Sequence, residues 1–270
     1  MGHNDPVLLP LRPGPGGVRR LLALLLPAML LASLTSALPG SATAADTAAD
    51  TARRPAVVEM RTIGTTVKGR PILAWRLGQP TSPRKVVVLA AMHGNERGPS
   101  RILRNLRDGR PIRGADIWVV PTYNPDGVAR GTRQNARRVD LNRNYPRNWK
   151  RLGGSTYSGT GPASEPETRA VMRFLRAIRP GRVISFHQPL HGVGRTGGKG
   201  APFVRRLARG LQLPVKSFNC SGQCHGTMTE WFNANFAGVA VTVEYGQGVS
   251  RRQARRTGPN GLLHAVDATR

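Results

Sequence analysis

Three apolar runs in this chain each end on a side chain that can bind a metal or move a proton. Val86-Val87-Val88-Leu89-Ala90-Ala91 leads to His93, Arg182-Val183-Ile184-Ser185-Phe186 to His187, and Val239-Ala240-Val241-Thr242-Val243 to Glu244. Short, β-branched apolar runs of this kind read as buried strands. In open α/β sheets, ligands collect beyond the carboxyl ends of the strands. The runs therefore set both an architecture and the edge of the sheet where chemistry is expected.

Gly94 eases a turn after the first run, so His93 and Glu96 leave the sheet together. An imidazole and a carboxylate three residues apart can close on one ion. Catalytic zinc sites take three protein ligands from His and Glu and leave a fourth position for water, so one more His is needed. His187, at the end of its own strand, is the first candidate. His191 lies four residues further on and competes with it, although Pro189 argues against a helix that would align the two.

The remaining pattern is that of an α/β fold. Val57 to Thr62 and Pro71 to Leu77, joined across Lys68-Gly69-Arg70, read as an antiparallel edge hairpin. Helices are expected over Ser100 to Arg107, Glu165 to Ile178 and Pro202 to Leu211, the second capped by Ser164 with acidic residues in its first turn. The result is a mixed sheet with helices on both faces.

Around the strand ends stand Asn124-Pro125-Asp126-Gly127, Arg133, Val139-Asp140-Leu141-Asn142-Arg143-Asn144-Tyr145 and Gly226-Thr227-Met228-Thr229-Glu230-Trp231. In this order the motifs resemble the M14 zinc carboxypeptidases, over roughly Arg53 to Gly246. The resemblance implies an eight-stranded type of mixed sheet and one zinc ion per chain on His93, Glu96 and His187. It implies Glu244 as general base and Arg133 as the group that polarises the scissile carbonyl. Asn142 and Arg143 would hold the substrate's terminal carboxylate, and Thr229 would lie at the base of the side-chain pocket. Short secreted bacterial relatives of this form cut cell-wall peptides next to diaminopimelate, which makes such peptides the leading substrate class.

The side chains support that chemistry independently. Zinc lowers the pKa of bound water and polarises a carbonyl. A carboxylate in reach can move the water's proton to the leaving amine, and Glu244 is the unassigned carboxylate at a strand end. Arg133 supplies fixed positive charge where an oxyanion develops. The planar fork of Arg143 suits a carboxylate, with Asn142 adding an amide donor. Thr229 is neutral and small, so a pocket for neither basic nor aromatic side chains is indicated, unless Glu230 points inward.

Two departures from the family stand out. The mobile tyrosine of its digestive members has no counterpart in Phe218-Asn219-Cys220-Ser221-Gly222-Gln223-Cys224-His225, where His225 is the candidate substitute. Arg138 stands where the family often has glycine. Cys220 and Cys224 are the two cysteines of the chain, and a disulfide between them would stiffen the pocket loop.

Other readings compete. In so arginine-rich a chain, Arg133 and Arg143 could be solvated charge, Glu244 an ordinary strand-end carboxylate and His187 a satisfied core histidine. An N-acyl-amino-acid hydrolase of the aspartoacylase type shares the His-Gly-x-Glu start and the Asn-Arg pair, but Asn124 to Gly127 and Val243-Glu244-Tyr245 favour the peptidase. A binding module without catalysis is expected to have lost a ligand or the base, and neither is missing.

At the N-terminus, Arg19-Arg20, the apolar stretch Leu21 to Leu31 and Ala42-Thr43-Ala44 read as a secretory signal over 1–44, cleaved after Ala44. Residues 45–54 read as a disordered tether, and 55–270 as the catalytic domain. No stable membrane span is expected after cleavage, and the protein is expected to be a secreted monomer. The formal charge is +27; the first 44 residues hold three Arg and one Asp, so the remainder still carries +25. Such a surface binds polyanions. Nothing offers a mechanism for specific nucleic-acid recognition, and an anionic cell-wall polymer is the expected partner, alongside a peptide substrate with a free carboxylate. A secreted polyanion-binding protein without catalysis is the alternative, and compositional drift towards arginine would give the same charge.

Overall fold

The computed structural model describes residues 55–218, 220 and 222–270. The expected signal peptide and tether lie outside the described residues. Among these residues, eight strands form one mixed sheet: β1 (Val57–Thr65), β2 (Pro71–Gly78), β3 (Lys85–Ala90), β4 (Asp116–Val120), β5 (Arg182–His187), β6 (Gly192–Gly194), β7 (Val215–Lys216) and β8 (Val239–Glu244). Their spatial order is β1-β2-β4-β3-β5-β8-β6-β7. β4, β3, β5 and β8 run parallel, and β1 and β2 complete one edge as the expected antiparallel hairpin. The chain steps from β3 to β4 on one side and later to β5 on the other. A crevice therefore opens at the carboxyl ends of β3 and β5.

Alternation along β3 shows how the faces are covered. Val86, Val88 and Ala90 join the apolar cluster containing Ile102 and Leu106 of α1 (Ser100–Arg107), Phe203 and Leu207 of α4 (Ala201–Leu211), and Leu262 of α6 (Gly258–Ala265). Val87 and Leu89 join the opposite cluster, with Val171 and Leu175 of α3 (Pro166–Ile178) and Met228 and Phe232 of α5 (Met228–Asn235). Period-two alternation with apolar residues at every position is what a sheet covered on both faces requires.

Local chemistry explains where expectation and structure part. α3 begins at Pro166, with Glu165 rather than Ser164 as its N-cap and no side-chain cap bond. The Ser164 hydroxyl is instead committed to Glu165 and Asn144, both at 2.9 Å. The C-terminal π-helical turn Gln253–Thr257 and α6 were not foreseen, because Arg251 to Arg256 and Gly258-Pro259-Asn260-Gly261 look like a charged run followed by breakers. Gly261 has a packing reason: a side chain there would strike the backbone of Gly210 on α4.

One further helix, which follows β4, backs the turn after β3. α2 (Pro125–Arg130) has Asn124 as N-cap, accepting from Gly127 N at 2.9 Å, Pro125 in its first turn and Gly131 in the left-handed region at its end. Its first turn packs so closely on Gly94 that a Cβ there would collide with the backbone of Gly127 and Val128. Gly94→Ala is accordingly expected to cost about 1–3 kcal/mol through overpacking, read as a lowered Tm in thermal unfolding. An unchanged midpoint would show that the two turns are not held together.

Candidate functional site

The three strand-end residues come together. β5 pairs with β8 in parallel, with His187 opposite Glu244, so both side chains leave the sheet on one face at one level. β3 is the other neighbour of β5, and the turn after it delivers His93 and Glu96, closed by Glu96 N donating to His93 O at 3.0 Å. His93, Glu96 and His187 are all buried, and their ligand atoms lie within 4.8 Å of one another. His191 is exposed and stands outside this group.

The donor set fits a zinc ion. Nδ1 of His93 lies 2.7 Å from Glu96 Oε1, Nδ1 of His187 lies 2.9 Å from Glu96 Oε2, and the two Nδ1 atoms are 3.3 Å apart. Two imidazole nitrogens and a carboxylate aimed at one point out of water need a cation among them. The outer ring nitrogens are fixed as metal-binding imidazoles usually are: Nε2 of His93 donates to Asp140 Oδ1 at 2.9 Å, and Nε2 of His187 faces Ser185 Oγ at 2.9 Å. Without metal, a proton takes that place. Burial opposes charge on His93, but Asp140 and Glu96 outweigh it and raise its pKa to about 9. Burial likewise works against the Glu96 carboxylate, and His93 and His187 nonetheless hold its pKa well below the usual carboxylate range.

Arg133, Asn142 and Arg143 reach the same centre through Asp140. This buried carboxylate accepts from Arg133 Nε at 3.0 Å and Nη2 at 2.7 Å, and caps the turn Leu141–Arg143 by accepting from Asn142 N at 2.9 Å. Arg133 Nη1 lies 3.5 Å from Glu96 Oε1. Arg143 is 7% exposed, and its Nε has no partner among the described residues. Burial lowers the pKa of its guanidinium, with Asp140 opposing. Asn142 Oδ1 accepts from Met228 N at 3.0 Å, which leaves the Asn142 NH2 group to donate. Arg138, ahead of this loop, has φ of 61°, the left-handed conformation that suits the glycine of the resembled family.

A cleft of about 510 Å³ joins these groups, and His93, Glu96, Arg133, Asn142, Arg143, Thr229 and Glu244 all line it. Burial pushes the Glu244 carboxyl above its ordinary range, against the pull of His187. Phe218 and the disulfide-bonded pair Cys220–Cys224 form part of the wall. His225 is half-buried and is not among the residues that line the cleft. The roles of Asp140 and Ser185 were missed in the sequence. Asp140 lay in a quoted motif, but only the fold brings it to His93.

The sequence model of Peptidase M14, described as zinc carboxypeptidase, matches residues 45–193. Murein peptide amidase A of Escherichia coli K12 is 36% identical over 146 residues, 47% of this chain and 58% of that protein. Its counterpart in Vibrio campbellii is 33% identical over 199 residues, 67% of this chain and 77% of that protein. Among solved structures, the murein-tripeptide amidase of Escherichia coli O157 superposes with a TM-score of 0.63 and 29% identity, covering 80% of this chain and 94% of that one. A carboxypeptidase A from Helicoverpa armigera shares the fold, with a TM-score of 0.67 and 18% identity over 83% and 71% of the two chains.

His187→Ala is expected to abolish stoichiometric zinc while leaving the domain folded; full zinc content in that variant would refute the ligand set. The pH dependence of the metal-free protein is a second check. His93 has a folded pKa of about 9 against an ordinary 6.5. Its stabilising charge is therefore fully present below pH 6.5 and is lost as pH rises through about 9. The Tm of metal-stripped protein should fall across that window, and that of zinc-loaded protein should not.

Proposed function

Because the chain belongs to the M14 zinc carboxypeptidases, we propose that it hydrolyses the amide bond beside a free carboxylate, acting outside the cell on cell-wall peptides that contain diaminopimelate. The observation that carries this reading is Arg143: a buried guanidinium with an unpartnered Nε, on the wall of the cleft that also holds His93, Glu96 and Glu244. A buried cation whose Nε has no partner, and whose neighbouring charge on Asp140 is shared with His93 and Arg133, favours an anion from the substrate. The names of the bacterial relatives, murein peptide amidases, supply the substrate class. Residues 1–44 supply the reading of export, and the arginine-rich surface supports retention on an anionic cell-wall polymer.

Each residue then has one task. Arg143 and the Asn142 amide hold the substrate's carboxylate and so place the scissile carbonyl beside the His93, Glu96 and His187 cluster. A zinc ion held by those three residues supplies Lewis acidity and lowers the pKa of water at the site. Glu244, its carboxyl raised by burial, accepts the proton of the attacking water and returns it to the leaving nitrogen. Arg133, oriented by two hydrogen bonds to Asp140 and a longer one to Glu96, still has N–H groups to offer the carbonyl oxygen as negative charge develops there.

Glu244→Gln should retain zinc and lose turnover by about 10²-fold or more; full activity, or loss of zinc, would refute its role. Amidating a substrate should cost about 2–5 kcal/mol of transition-state binding, because Arg143 is then left desolvated and unpaired. Arg143→Ala should impair the free acid and narrow its advantage over the amide. The panel comprises free-acid peptides, their amides, muropeptides and N-acyl amino acids. Equal turnover of acid and amide would overturn the carboxypeptidase reading, and cleavage of N-acyl amino acids alone would replace it with the acylase one.

A further inference from the structure

Among the described residues, Glu230 is the one carboxylate lining the cleft, besides Glu96 and Glu244, for which the proposed chemistry has no use. It sits in the first turn of α5, three residues after the N-cap Thr227, whose hydroxyl accepts from Glu230 N at 3.3 Å. A glutamate at that position commonly reaches back to the cap's own N–H. Here the carboxylate turns away: Oε1 accepts from Asn148 Nδ2, while Oε2 is out of water and without a hydrogen-bond partner among the described residues. Nor does Glu230 form an ion pair among them, in a chain of 41 basic against 14 acidic residues. A desolvated carboxylate oxygen without a partner, on a residue that lines a cleft, is costly unless a donor reaches it.

The surroundings say what kind of donor. α5 is locked to the carboxylate-gripping loop by Met228 N donating to Asn142 Oδ1 at 3.0 Å and by Tyr145 N donating to Gly226 O at 2.9 Å. Glu230 is thereby held at a fixed distance from Arg143. Thr229 and Thr242, whose hydroxyls lie 3.5 Å apart, line the same cleft, while the amide of Asn233 is committed to Ala240. An ammonium has three donors, enough for Glu230 Oε2 and neighbouring hydroxyls together. A side chain with a carboxylate and no ammonium would be repelled, and a neutral one without a donor would leave Oε2 desolvated.

From this arrangement we infer that Glu230 is a specificity-determining residue: it binds an ammonium group on the side chain of the substrate residue whose carboxylate Arg143 holds. The inference rests on the carboxypeptidase reading and takes up the exception that the sequence allowed for Glu230 in a pocket that Thr229 by itself would leave without charge preference.

The test compares two free-acid peptides that differ by one group, one ending in diaminopimelate and the other in 2-aminopimelate, which lacks only the side-chain ammonium. The unmutated protein should favour the first in kcat/KM by about 30-fold or more, the scale of an unpaired buried charge. Glu230→Gln, with its zinc content verified, should collapse that preference to within about threefold. An unchanged ratio in the variant, or no preference in the unmutated protein, would overturn the inference. Should the variant fail to fold, inhibition of the unmutated protein by the two free amino acids decides: equal inhibition overturns the proposal, and stronger inhibition by the ammonium-bearing one supports it. Turnover of neither peptide would instead remove the carboxypeptidase reading on which the proposal rests.

Discussion

The site depends on one buried anion. Asp140 is fully buried, yet its carboxylate meets the imidazole of His93, the fork of Arg133 and the backbone N–H of Asn142, while its carbonyl accepts from Arg143 N at 2.9 Å. Burying a carboxylate is costly, and only this number of donors makes it tolerable. Although burial works against its charge, His93 and Arg133 hold its pKa well below the carboxylate range. One side chain thus ties the ring of a metal ligand, the cation beside the metal centre and the loop that presents Arg143. Displacing it would disturb all three together, so their individual contributions cannot be separated by single substitutions.

Much of this was legible in the sequence for a simple reason. A strand covered on both faces has to be apolar along its length, so the first polar residue beyond it marks the sheet edge. His93, His187 and Glu244 were visible in this way. Asp140 and Ser185 were not, because their roles arise only where separate segments meet. The start of α3 was displaced by one residue because Ser164, a good cap by type, is drawn into the network of Asn144 and Glu165, leaving Pro166 to open the helix. The short strands β6 and β7 carry too few residues for a periodicity, and α6 hides behind glycine and proline.

The arginine excess also has a structural side that charge counting does not reveal. Arg61 and Arg76 lie over Trp118, Arg107 over Trp75, Arg176 over Trp231 and Arg182 over Phe203. With so few carboxylates to pair with, guanidinium groups settle on aromatic faces, where weak hydration and planarity favour them. Lysine would fill these positions poorly, which gives part of the preference for Arg over Lys a packing cause.

The pairing of His187 with Glu244 across β5 and β8 has a consequence for how such a protein can diverge. Their separation follows from the roughly 4.8 Å spacing of neighbouring strands, a dimension common to all sheets and independent of the loops above them. Phe218, Cys220, Cys224 and Thr227, which form one part of the cleft wall, sit instead on the connection ahead of α5, which can change composition without moving that pair. The reactive pair and this part of the cleft wall are thereby inherited on separate stretches of the chain, one fixed by the sheet and one free to drift. A single-residue insertion within β8 would break the separation, because it turns Glu244 to the opposite face of the sheet.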